Sequence, residues 1–161
     1  MSAVKTNHRQ VESKVRKSMA DFRKRLSAGI REVCYEADDT IKSHTPVHTG
    51  SAVRNYLWTT GTPSSAVFEP IDNGSPGPTN SMSLGAEPRR EVNEAAARET
   101  LDGLDFSNPF QTFILTNNDK DIGKLELGLL PTPATSRSPN GMFGLTQNYI
   151  GELVRSKGFA K

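Results

Sequence analysis

Thr45-Pro46-Val47-His48-Thr49-Gly50-Ser51-Ala52-Val53-Arg54-Asn55-Tyr56 is the stretch on which the fold turns. Pro46 has no amide donor and drives the residue before it out of helical conformation, so a helix arriving from the N-terminal side ends at Thr45. The hydroxyls of Thr45 and Thr49 can bond neighbouring backbone groups, and Gly50 permits a conformation that other residues resist. The segment reads as a corner that turns a helix into a strand.

Upstream, Val11, Val15, Met19, Phe22, Leu26, Ile30, Val33, Ala37 and Ile41 recur in steps of 4 and 3 over about eight turns, which describes one long amphipathic helix within residues 1–44. The repeat averages close to ~3.67 residues, so the stripe stays on one face of a nearly straight helix and should pack on a sheet or a neighbouring subunit. Gly29 lies inside it at a cost of ~1 kcal/mol relative to Ala and marks a position for a kink. The same segment is basic: Lys5, Arg9, Lys14, Arg16, Lys17, Arg23, Lys24, Arg25 and Arg31 face only Glu12, Asp21 and Glu32, although the whole chain carries a formal net charge of +2.

Downstream, Val53 to Thr60 holds Tyr56, Leu57, Trp58 and two threonines between Gly50 and Gly61, and predicts a strand. Residues 61–87 are crowded with Gly, Pro, Ser and Asn and predict an extended loop or arm, with room for a short strand at Ala66–Phe68. Pro88 to Leu104 has good helix formers, Arg90/Glu94 and Glu94/Arg98 at i,i+4, and Gly103 near its end. Gln111 to Thr116 alternates as a strand does, and Lys124 to Leu127 suits a strand or a short turn of helix. Met142, Leu145, Tyr149 and Leu153 then recur at helical spacing. The order of elements predicts an α+β fold in a single domain, residues 1–161. It has a long N-terminal helix, a small mainly antiparallel sheet, two further helices and one long irregular loop.

Composition narrows the chemistry. Cys34 is the only cysteine, which excludes an intramolecular disulfide and multi-cysteine metal sites, and its place on the apolar stripe predicts a small buried hydrophobe. No apolar run approaches the ~20 residues of a membrane span, and no apolar signal-peptide block follows the basic start, so a soluble, unexported protein without a membrane partner is expected. Asn73-Gly74-Ser75 is then a chance match to a glycosylation acceptor.

The candidate reactive groups all have a plainer reading. His44 and His48 stand four apart, but Pro46 breaks the helix that would align them on a metal. Asp38 and Asp39 diverge by about 100 degrees on a helix and read as a solvated face. Asp119 and Asp121 lack the rest of a calcium loop, and Gly123-Lys124 is followed by Leu125 where a phosphate loop needs a hydroxyl. No metal, cofactor or catalytic residue is expected, and the chain reads as a building block.

Four segments resemble the tail completion family of long-tailed bacteriophages, the minor tail protein Z type and its relatives among phage neck proteins. The pattern is carried by Thr45, Pro46, Thr49, Gly50, Asn55 and Tyr56, then Asn117 and Asn118, then Leu125, Glu126 and Gly128, then Pro139, Gly141 and Met142. The chain departs from it at His48 where the family has an acid, at Tyr56 where tryptophan is common, and at Lys120-Asp121-Ile122 where a Pro-Tyr-Ala corner is typical. Asn117 and Asn118 suit a strand end, since they tolerate left-handed backbone and bond to backbone through their amides.

The resemblance implies a non-enzymatic virion protein of the tail or neck, assembled in the bacterial host cytoplasm, that completes the head-proximal end of the tail and joins it to the head connector. It implies a homo-oligomeric ring, a hexamer, whose partners are the connector or stopper and the tail terminator, with heterologous interfaces between copies. A tail terminator or connector stopper subunit is the alternative within the same class. An alternative of another class is a non-specific DNA-binding protein in which Arg16, Lys17, Arg23, Lys24 and Arg25 face phosphates, in a ring the packaged DNA of the channel.

Overall fold

The computed structural model describes residues 2–47, 49–72, 87–129 and 141–158; His48, Pro139 and the greater part of the 61–87 segment lie outside the described residues. Helix α1 (Ser2–His44) is followed by a single turn of helix, α2 (Ser51–Arg54), and strand β1 (Tyr56–Thr60). Then come α3 (Glu87–Asp102), β2 (Phe113–Asn117), the short α4 (Ile122–Glu126) and α5 (Met142–Ser156). The fold is α+β.

At ~1.5 Å per residue α1 is about 65 Å long, more than the body needs. The helix runs through Gly29 without a break and stops where the Thr45-Pro46 pair requires. The apolar stripe divides in two. From Leu26 onward it is covered, with Cys34, Ala37 and Ile41 in the core, whereas Val11, Val15, Met19 and Phe22 are each just over half exposed. These four residues belong to neither apolar cluster of the body, and residues 7–25 are exposed as an arm whose base meets the body where Arg23 stands over Phe110.

Strands β1 and β2 pair antiparallel, Tyr56 opposite Asn117, Trp58 opposite Leu115 and Thr60 opposite Phe113. Tyr56, Leu57 and Trp58 are all buried instead of alternating; Tyr56 and Trp58 enter apolar clusters with α1, and α3 packs against the strand. The outer edge of β1 has no third strand among the described residues; there the Trp58 amide donates to Thr100 Oγ1 of α3 at 3.0 Å. One apolar cluster gathers Cys34, Ala37, Trp58 and Leu101, and a second gathers Ile41, Tyr56, Leu125 and Met142; Leu115 packs against both.

Three expectations are corrected. Val53 is helical, not extended: Gly50 takes φ +91°, Thr49 Oγ1 accepts the Ser51 amide at 3.2 Å, and the Arg54 amide reaches Gly50 O, which winds one turn before the strand can begin. Ala66–Phe68 is not a strand; its backbone is held by asparagine side chains in place of a neighbouring strand. Asn117 and Asn118 do not adopt left-handed backbone, since only glycines among the described residues have positive φ, and they act through their amides alone.

Candidate functional site

Three of the residues that carry the resemblance, Thr45, Tyr56 and Met142, meet at the end of α1. Thr45 Oγ1 donates to Ile41 O at 2.7 Å and pairs with the Tyr56 hydroxyl at 2.9 Å, which lies 3.7 Å from Met142 Sδ. All three side chains are fully buried, and burial pushes the Tyr56 phenol well above its ordinary range. Arg90 of α3 closes the corner by donating to Lys42 O and Thr45 O at 2.7 Å and to Glu94 at 2.8 Å. These bonds satisfy carbonyls that the end of α1 would otherwise leave bare.

Glu126 performs the matching task at the start of α5. Its Oε2 accepts the amides of Met142 and Phe143 at 2.7 and 2.9 Å, and its Oε1 accepts that of Gly144 at 3.1 Å. A carboxylate that takes three free N–H groups at a helix N-terminus is favoured by hydrogen bonding and by the helix dipole together. Gly141, at φ +76°, admits this approach: a Cβ there would stand 2.4 Å from Glu126 Oε1 and 2.9 Å from its carbonyl oxygen. Leu125 is buried beside it, and Gly128, at φ +67°, ends α4 with its amide bonded to Leu125 O.

Asparagines fix the exposed segment after Gly61. Asn55 Nδ2 donates to Phe68 O at 2.9 Å while its Oδ1 accepts the Phe68 amide at 2.7 Å. Asn93 treats Ile71 the same way, at 3.1 and 2.8 Å, and Asn118 donates to Ser64 O and Ala66 O. Asn117 instead joins α2 to the strand end, donating to Ala52 O and accepting the Asp119 amide. Gly50 lies against Asn93, whose Nδ2 a Cβ would meet at 2.4 Å. Phe68 has one ring face under the Arg54 guanidinium, 4.5 Å away, and is 40% exposed.

Asp38 corrects the expectation of a solvated face. It is fully buried, with Oδ1 accepting Trp58 Nε1–H at 2.9 Å and Oδ2 facing Lys42 Nζ at 2.7 Å and Arg98 Nε at 3.0 Å. Burial lowers the Lys42 pKa below the ordinary lysine value, and the Asp38 carboxylate opposes that fall. Asp39 does remain exposed and pairs with Arg98. Asp39, Lys42 and Arg98 line an open cleft of about 790 Å³ between α1 and α3, together with Arg90 and Glu94 and so chiefly with paired charges. The Asp38 carboxylate already serves three donors, and Ser43 Oγ is turned to Thr40 O. The position of Asp38, four after Cys34 and three before Ile41, was the signal in the sequence; a carboxylate among apolar neighbours conceals it.

Asp119 and Asp121 are occupied locally: Asp119 accepts from Ser51 Oγ and the Asp121 amide, and Asp121 faces Lys124. His44 Nδ1 lies 2.8 Å from Thr40 O, and the described residues hold no cluster of three or more potential metal ligands. Burial in the core pushes the Cys34 thiol up to about 12.

Arg16, Lys17, Arg23, Lys24 and Arg25 are all exposed on the arm. Arg16 pairs with Glu12 at 2.7 Å, and Arg23 stands 5.8 Å over the Phe110 ring. At ~100° per residue they spread over more than half of the circumference, with Lys17 and Lys24 on the side away from the apolar stripe, so they do not share one narrow face. No helix among the described residues is long and apolar enough to cross a membrane. No protein-family model matches the chain, and neither characterised proteins nor solved structures gave a match.

Proposed function

We propose that the chain is a structural, non-catalytic subunit of a tailed-phage virion, completing the head-proximal end of the tail and joining it to the head connector. The observation that supports this reading is the mutual dependence of the resembling residues. Thr45, Tyr56 and Met142 line up through one buried contact chain, and Glu126 fits over Gly141 and Met142. Segments far apart in sequence that satisfy one another in space behave as one pattern, and a pattern shared with a family is a stronger link than separate turns.

The exposed arm and the asparagine-held segment suit a part made for assembly, because a rigid element that projects from a body presents surface to a neighbour. The neighbours are other copies in a ring, and the connector, stopper or terminator above and below. Deletion of the gene in the parent phage tests the role: tails and filled heads accumulating unjoined by electron microscopy, with the protein present in wild-type particles by mass spectrometry, is the expected result. Complete infectious particles formed without the protein overturn it.

A further inference from the structure

We infer that the α1 arm of one copy docks on the Val67–Asp72 segment of a second copy of this chain. On the arm, Val11, Val15, Met19 and Phe22 form an unpartnered apolar stripe, each side chain just over half exposed. Helical geometry sets Lys14 and Arg25 along one flank of that stripe, with Asp21 beside them, and Arg16 and Arg23 along the other, where Glu12 pairs with Arg16, so each flank is net positive. A second arm is the poorer occupant, since pairing two stripes would bring two net-positive flanks together. The surface that fits is apolar with carboxylates at its edge.

The body has such a surface. Val67 is 63% exposed, Phe68 and Ile71 about two-fifths, and the carboxylates of Glu69 and Asp72 are exposed among them. The basic groups nearby are already engaged: Arg89 faces Asp72 at 3.4 Å, and Arg54 lies over the Phe68 ring, which leaves Glu69 without an ion pair among the described residues. The asparagine bonds to Phe68 and Ile71 hold this segment in shape before any partner arrives, so docking orders little backbone. Arm and segment are different patches of one chain, and the contact is therefore heterologous and propagates from copy to copy into a ring or filament.

The docking rests on the assembly role proposed above only in taking identical copies as neighbours, and its test is independent of particle composition. The full chain is examined by sedimentation velocity over roughly 1–100 µM, at about 50 and about 500 mM salt. Self-association that weakens with salt, and by at least tenfold in Val15→Glu/Met19→Glu, is expected. Lys14→Glu/Arg25→Glu and Glu69→Lys/Asp72→Lys, each with unchanged circular dichroism, should each be monomeric alone and should associate when mixed, because the reversed arm then meets a reversed segment. A chain that stays monomeric, self-association untouched by either pair of substitutions, or an arm that binds duplex DNA or anionic vesicles while the chain remains monomeric overturns the docking. Monomers that are nonetheless found in virions overturn it alone and leave the virion role standing.

Discussion

Glu126 caps the helix that Met142 begins: one carboxylate oxygen lies 2.7 Å from the Met142 amide nitrogen across a sequence separation of 16 residues. The same side chain takes the next two free amides, so a single residue ties α4 to α5. Removing it leaves these donors part-buried and unpaired. Glu126→Ala should cost about 2–4 kcal/mol and Glu126→Gln about half of that, since charge-assisted bonds are roughly twice as strong as neutral ones. Urea denaturation with an unchanged m-value checks both.

Gly141→Ala tests the same contact from the other side. The new Cβ would meet the Glu126 carboxylate and, at 2.9 Å, its backbone carbonyl, on a residue already at φ +76°. A loss of about 1–3 kcal/mol is expected. In Glu126→Ala the carboxylate part of the clash vanishes, so the two losses should be less than additive in a double-mutant cycle.

Asp38 and Lys42 form a buried pair in which each charge depends on the other. Asp38→Ala strands the buried Lys42, while Arg98 keeps Asp39, and should destabilise by about 3–5 kcal/mol, with Asp38→Asn/Lys42→Met recovering part of the loss. Thermal unfolding with Trp58 fluorescence as the probe reports it directly, because Asp38 also bonds the Trp58 indole.

How much of this was legible in the sequence depends on which side of a helix was polar. The ends of α1 and α3 followed from Pro46 and Gly103, because proline restricts the backbone and removes a donor while glycine permits the turn that leaves a helix. The partition of α1 into core and arm was not legible: Val15 and Ile41 belong to one stripe, and only tertiary contact separates them. The inward face of α3 was equally hidden, since it runs Arg90, Asn93, Ala97, Leu101 and half of it is polar. Asn93 and Arg90 are buried to bind backbone, a role that periodicity of apolar residues does not register.

Alkaline pH should destabilise the chain through Cys34. Its folded pKa is raised from 9.0 to about 12, so the unfolded thiol ionises first and the folded state holds the extra proton. The contribution is fully present below pH 9.0 and is lost as pH rises toward about 12, a loss of about 3 kcal/mol by about pH 11. Tyr56, also raised by burial, adds in the same direction above its ordinary value of 10.0, whereas Lys42, lowered, opposes it. Cys34→Ala should flatten the pH dependence of the denaturation midpoint between about pH 9 and 11, and the native thiol should resist a disulfide reagent at neutral pH until the chain unfolds.

Asn55 and Asn93 each supply a donor and an acceptor to one residue, which is what a neighbouring strand would supply to that edge. Asn55→Ala removes the Phe68 bonds and a bond to Ser51 O, and Asn93→Ala removes the Ile71 bonds and one to Arg89 O. Losses of about 1–3 kcal/mol each are expected, because the part-buried backbone groups they serve lose a donor and an acceptor together. The decisive readout is local. Amide exchange at Phe68 should rise at least tenfold in Asn55→Ala with β1 and β2 protection preserved, and Ile71 should respond in the same way to Asn93→Ala. Uniform loss of protection across the sheet would mean that the asparagines support the whole fold, and unchanged exchange at Phe68 and Ile71 would mean that the exposed segment does not depend on them for its shape.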